Sequence, residues 1–195
     1  MPTPMRVFLL SPARLSGVRG VRILEGRGGA PFLPELDRGG SAPLGEVHAF
    51  ISSLYFRGKR AYAHRFGVAP PGAASGLVIT PDRGLMPLEA PVDRRTLREM
   101  AGVDIDPDDP RYREPLLADA VALRRRLGPD GRVILLGSLA TGKYLDLLET
   151  AFGRHLLVPE AFGGEGDMRR GSRMLRAVAS GVELTYVEAI TLRRG

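Results

Sequence analysis

The chain contains no cysteine, tryptophan, asparagine or glutamine, and only two of its 28 basic residues are lysines. Without cysteine there is no disulfide framework, no thiol nucleophile and no thiolate metal site. The missing amides, beside abundant proline, arginine and glutamate, fit a thermophile or a GC-rich genome. Long apolar runs are lacking too. The longest, at residues 7–10 and 133–136, fall far short of the roughly 20 residues that a membrane-spanning helix needs. Residues 1–6 show no apolar stretch followed by a small-residue cleavage site, so a cytoplasmic location without a membrane partner is the default expectation.

What is present suits a single α/β domain over residues 1–195: 44% hydrophobic content is enough to bury one substantial core. The net charge of +6 favours polyanionic partners, nucleotides or nucleic acid, although it serves solubility equally well. Apolar runs predict strands at 6–10, 77–80, 133–137, 155–158 and 182–187; the middle three lack alternation and should be buried on both faces, while the last alternates like an edge. Amphipathic stretches predict helices at 45–66, 93–100, 113–127, 141–152 and 167–180. The expected architecture is a three-layer sandwich with a mainly parallel sheet of about five strands.

Two segments stand outside that pattern. Residues 16–41, rich in Gly, Pro and Arg, read as a long loop that could carry a short hairpin at 21–24. Residues 81–110 contain Asp104, Asp106, Asp108 and Asp109, but an EF-hand counted from Asp104 would need Gly and Glu where Asp109 and Pro115 stand. A turn and helix entry is expected there instead. His48, His64 and His155 share no metal spacing, so no metal is expected, and no cofactor is indicated.

Each lysine follows a glycine. The run from Gly137 through Ser138, Thr141 and Gly142 to Lys143 follows an apolar strand and matches G-x-x-x-x-G-K. Tyr144 stands where a P-loop needs Ser or Thr for magnesium, and no strand ends in a Walker B aspartate. Anion binding without NTP hydrolysis is the expectation, through the amides at the start of helix 141–152, the hydroxyls of Ser138 and Thr141, and Lys143. The plain alternative is a helix cap beside a solvated lysine.

Other strand ends carry similar chemistry: Ser11 and Arg14 after the first, Thr80, Asp82 and Arg83 after the second, Glu160 after the fourth. In a parallel sheet these share one rim, where open α/β folds bind ligands. Asp82, Glu160 and Glu165 are the acid–base candidates, and Asp167 is expected to cap the helix that follows. On helix 45–66, Arg57, Lys59 and Arg60 form a basic stretch, interrupted by Gly58, that could meet a nucleic-acid backbone.

Residues 53–63, with Ser53, Tyr55 and Lys59, followed by residues 78–87, with Arg83 and Gly84, resemble uncharacterised bacterial α/β proteins. They are also similar to YaaA-like and tRNA-guanine-transglycosylase-associated domains. The resemblance implies a link to nucleic acids or nucleobases, with Ser53, Tyr55, Lys59, Arg83 and Gly84 as the matching positions. The expected function is an enzyme that binds a phosphate-bearing ligand at the strand ends and acts on a nucleotide, nucleoside or nucleic-acid base. The competing class is a non-catalytic nucleic-acid-binding protein.

Overall fold

The computed structural model describes residues 4–138 and 142–193. The first apolar run is strand β1 (Arg6–Leu10), whose last four residues are fully buried. An unbroken apolar run needs cover on both sides. Phe8 and Leu10 enter one core with Tyr62 and Met174, and Val7 and Leu9 enter a second with Tyr112 and Leu148. After β1 come helices α1 (Val18–Leu24) and α2 (Leu33–Asp37), where a loop with a hairpin was expected. Ile23, Leu33 and Leu36 are buried in the first core, and that burial holds the segment helical; in the turn between the two helices Gly26, Gly28 and Gly29 take positive φ.

Strand β2 (Ala42–Pro43) leads into α3 (Leu44–Ser52) and α4 (Leu54–Phe66). The sequence reads as one helix over 45–66. It is two, broken at Ser53, whose φ of 49° is the one positive value outside glycine among the described residues. Strand β3 (Gly76–Ile79) is followed by β4 (Leu85–Pro87) and β5 (Pro91–Val92), both too short for alternation to register in the sequence. Next are α5 (Arg94–Ala101) and α6 (Pro110–Leu127). The carboxylate of Asp106 accepts from Asp108 N at 3.0 Å and that of Asp109 from Arg111 N at 2.9 Å, so the acidic run is a turn and helix entry.

The chain ends with β6 (Arg132–Leu136), α7 (Leu145–Phe152), β7 (Leu156–Pro159), α8 (Asp167–Ser180), β8 (Tyr186–Glu188) and α9 (Ala189–Arg193). Helix α7 starts later than the expected residue 141, because Gly142 has a φ of 64°, outside the helical region. Gly166, not Asp167, is the N-cap of α8. No described helix is long and apolar enough to cross a membrane.

The six-strand sheet has the order β4-β3-β1-β6-β7-β8, parallel in its inner four strands and antiparallel at both edges. Helices α4 and α8 cover one face with the first core, and α6 and α7 cover the other with the second. Chain leaving β1 returns at β3 on one side, whereas chain leaving β6 returns at β7 on the other. A crevice therefore opens between the carboxyl ends of β1 and β6, the switch point of this topology.

Helices α4 and α8 cross backbone to backbone. A Cβ added at Gly58 would lie 2.8 Å from the Gly171 carbonyl oxygen, and one at Gly171 would lie 3.0 Å from the Leu54 carbonyl oxygen. Only glycine at both positions permits this approach. The next residue on α4 is Lys59 and the preceding residue on α8 is Arg170, so the crossing brings these two basic side chains together.

Candidate functional site

Lys59 is 2% exposed, on the inward stripe of α4 with Tyr55, Tyr62 and Phe66. Its Nζ donates to Ser11 Oγ at 2.7 Å and to the Ser11 carbonyl oxygen at 2.9 Å, and sits 3.9 Å from the centroid of the Tyr55 ring. Among the described residues, no carboxylate lies within ion-pair distance of it. Burial pushes its pKa down to about 7; Asp167 opposes that shift and Arg170 adds to it.

Arg170, 7% exposed, donates to the Phe162 carbonyl oxygen at 3.0 Å and faces the exposed Asp167 carboxylate at 3.5 Å. Its guanidinium lies beside the buried Tyr55 hydroxyl. Burial raises the Tyr55 hydroxyl to about 12, with Arg170 pulling the other way, so it is a neutral donor at physiological pH. Two buried basic side chains thus stand close together, with Arg170 between the Tyr55 hydroxyl and the exposed Asp167 carboxylate.

Ser11, Tyr55, Lys59, Ser138, Tyr144 and Asp167 line a cleft of about 500 Å³ at the switch point. An adjoining cleft of about 630 Å³ shares Pro12, Ala13, Arg14 and Tyr144 with it. Lys143 is exposed and lines the second cleft only, so the two lysines belong to neighbouring clefts separated by the ring of Tyr144 and the turn after β1. His48 also lines the second cleft. Its Nδ1 accepts from Ala13 N at 3.1 Å, and burial lowers its pKa to about 3, with Lys59 adding to the effect, so it is neutral with its proton on Nε2.

The other residues singled out in the sequence are placed as follows. Gly137 lies against Ser11, and Gly142 against the Asp146 carboxylate, which occupies the loop side where an anion was expected. Thr141 lies outside the described residues. Thr80 Oγ1 donates to the Gly84 carbonyl oxygen at 2.9 Å and accepts from Arg83 N at 3.1 Å, closing the turn after β3. Asp82 is ion-paired with Arg83, which also reaches Glu99. Glu165 is ion-paired with Arg173, which holds its carboxyl below the usual range, and Glu160 is exposed at the end of β7. None of Thr80, Asp82, Arg83, Glu160 and Glu165 lines either cleft. Arg57 is exposed and lines a separate groove of about 910 Å³ with Arg19, Arg22 and Arg60. Among the described residues, no group of histidines and carboxylates is placed to hold a metal ion.

Arg170 and Tyr144 were not read from the sequence as site residues. The signal for Arg170 was there: with Met174 and Ala177 it occupies the buried stripe of α8, a charge at an apolar position beside a glycine. Lys59 carries the same signal, and reading 45–66 as one straight helix obscured it, because the break at Ser53 resets the stripe. Comparison with protein-family models, with curated proteins and with solved structures finds no match to this chain.

Proposed function

We propose that the crevice between β1 and β6 binds a phosphate-bearing ligand, and that the protein is an enzyme acting on a nucleotide, nucleoside or nucleic-acid base. The carrying observation is the pair Lys59 and Arg170, buried side by side with a single exposed carboxylate near them. Arg170 is paired with Asp167, whereas Lys59 has no carboxylate within ion-pair distance among the described residues, and a phosphate would supply that negative charge. Ser11, Tyr55 and Lys59 line the cleft and offer that anion hydroxyl and ammonium donors. A cleft of about 500 Å³ suits a small phosphate ester, and the neighbouring cleft, with Tyr144 and the neutral His48 among its lining residues, offers room for a sugar or base. The similarity of residues 53–63 and 78–87 to nucleobase-linked domains agrees with this reading.

Calorimetric titration with pyrophosphate and AMP tests it. Both are expected to bind, and Arg170→Ala is expected to weaken them at least about tenfold, the effect of losing a buried charge-assisted hydrogen bond. Absence of binding to the wild type, or unchanged affinity in Arg170→Ala, contradicts the reading.

The groove lined by Arg19, Arg22, Arg57 and Arg60 favours a second reading, a nucleic-acid-binding surface that adjoins the crevice through Arg19. Arg60 is paired with Glu46 at 2.6 Å, whereas Arg22 and Arg57 have no ion-pair partner among the described residues. A steep salt dependence of tRNA or duplex DNA binding, with no mononucleotide binding, would select that reading.

A further inference from the structure

We propose that Ser11 and Lys59 form a nucleophile–base dyad that transfers the phosphoryl group of the ligand held in the crevice; this rests on the anion-binding reading above. A serine hydroxyl is a weak nucleophile until an adjacent base takes its proton, and lysine fills that role where it is held as a free amine. Here Nζ lies 2.7 Å from Ser11 Oγ, and its second bond, to the carbonyl oxygen of the same residue, fixes the amine over that hydroxyl. Ser11 is the first residue after β1, tied to β6 by its amide, which donates to the Leu136 carbonyl oxygen at 3.2 Å, and it lines the cleft together with Lys59. The nucleophile is therefore held by the sheet itself, at the switch point, with a buried base beside it.

The groups facing Lys59 come from every element around it: Tyr55 from its own helix, Asp167 and Arg170 from α8, and His48 from α3. Asp167 favours the ammonium, while burial and Arg170 favour the amine and prevail. His48 is neutral and leaves the balance unchanged. Arg170, held by Asp167 and the Phe162 carbonyl oxygen, adds positive charge behind Tyr55 and Lys59, where negative charge shifts among the phosphoryl oxygens.

A bound anion favours the Lys59 ammonium, so the proposed reaction runs through the fraction of bound protein that holds the amine, in which Ser11 Oγ attacks the phosphorus of a phosphate ester. The Oγ–P bond forms as the bond from phosphorus to the leaving oxygen breaks. The hydroxyl proton passes to Lys59 Nζ, while the departing oxygen, on the far side of phosphorus, takes a proton from solvent in the open cleft and leaves as an alcohol. Water then attacks the phosphoserine from that far side and gives a proton to solvent, the Lys59 ammonium returns its proton to Ser11 Oγ, and inorganic phosphate is released with the dyad restored.

Diisopropyl fluorophosphate tests the dyad without depending on the natural substrate, because Oγ attack expels fluoride and leaves a stable adduct. Full-length protein is treated across a pH series, the adduct is followed by intact mass and located by peptide mapping, and pyrophosphate binding is measured on untreated portions of the same preparations. The expected result is one adduct, on Ser11, forming at a rate that rises with pH through a midpoint near 7 and is at least about 100-fold slower in Lys59→Met. Labelling elsewhere, or equally fast labelling of Ser11 in Lys59→Met, overturns the dyad. If Lys59→Met does not fold, the wild-type profile decides, and a rate independent of pH overturns it. Wild-type protein that binds pyrophosphate but is not labelled overturns the dyad and leaves the anion site standing; loss of pyrophosphate binding overturns the anion site itself.

Discussion

Replacing Lys59 by methionine is expected to raise folding stability at pH 7 by about 2–3 kcal/mol while removing the anion site, an unusual sign for a fully buried side chain with two hydrogen bonds. In the unfolded chain the lysine titrates at its ordinary 10.5, and in the folded protein at about 7. Between those values the unfolded chain holds a proton that the folded protein has released. Stability therefore increases with pH across that window, by about 1.4 kcal/mol per pH unit; the gain is lost as pH falls back from 10.5 to about 7, and below that the lysine is protonated in both states and adds no further change. At neutral pH the wild type carries most of this penalty, offset in part by the bonds to Ser11 and the contact with Tyr55. Methionine fills a similar volume without the ammonium. Urea denaturation at a series of pH values should show the wild type gaining stability from about pH 7 to 10, Lys59→Met nearly flat, and the two curves crossing near pH 9. Above that window, Tyr55 and Tyr144, both pushed up to about 12 by burial, hold protons that the unfolded chain loses, and stability should decline in both proteins. A loss of 2 kcal/mol or more in Lys59→Met at pH 7 would make the lysine a structural strut.

The second large effect is expected at Gly58. Alanine for glycine inside a helix ordinarily stabilises by about 1 kcal/mol. At Gly58 the sign reverses, because the new methyl group would meet the Gly171 carbonyl oxygen at 2.8 Å and Gly171 Cα at 3.1 Å. Those are backbone atoms of a packed helix and cannot turn aside, so α8 must be displaced, and overpacking of this kind costs about 1–3 kcal/mol. We expect Gly58→Ala to lose about 1–2 kcal/mol in urea denaturation and to bind pyrophosphate more weakly, since moving α8 carries Arg170 away from Lys59. Unchanged stability together with unchanged affinity would show that the helix crossing does not position the two cations.

The sheet was legible because long-range geometry left a local mark. Residues 6–10 and 133–136 are unbroken apolar runs because β1 and β6 are covered on both faces. The two-residue strands β2 and β5 leave no such mark, and the α3–α4 break depends on one residue, Ser53, in a conformation that its type does not advertise. Glycine before lysine also drew attention to Lys59, but Gly58 is required by Gly171 on another helix and not by a ligand. Lys59 was grouped with Arg57 and Arg60 in a basic stretch that could meet a nucleic-acid backbone, whereas its spacing from Tyr55 and Tyr62 puts it inward. Lys143, in the fuller motif, is exposed in the neighbouring cleft. Of the strand-end candidates, Ser11, Arg14 and Ser138 line the crevice. Thr80, Asp82 and Arg83 are taken up by the turn after β3, a use of side chains that spacing does not reveal.

The most direct test of the anion site is calorimetry with sulfate, a phosphate mimic that does not titrate in the neutral range, carried out at pH 7 in buffers of different ionisation heat. An anion beside Lys59 favours the ammonium, so binding should draw roughly half a proton into the wild-type protein and none into Lys59→Met, which should also bind more weakly. Sulfate binding without proton uptake, or with the same affinity in Lys59→Met, would contradict the account.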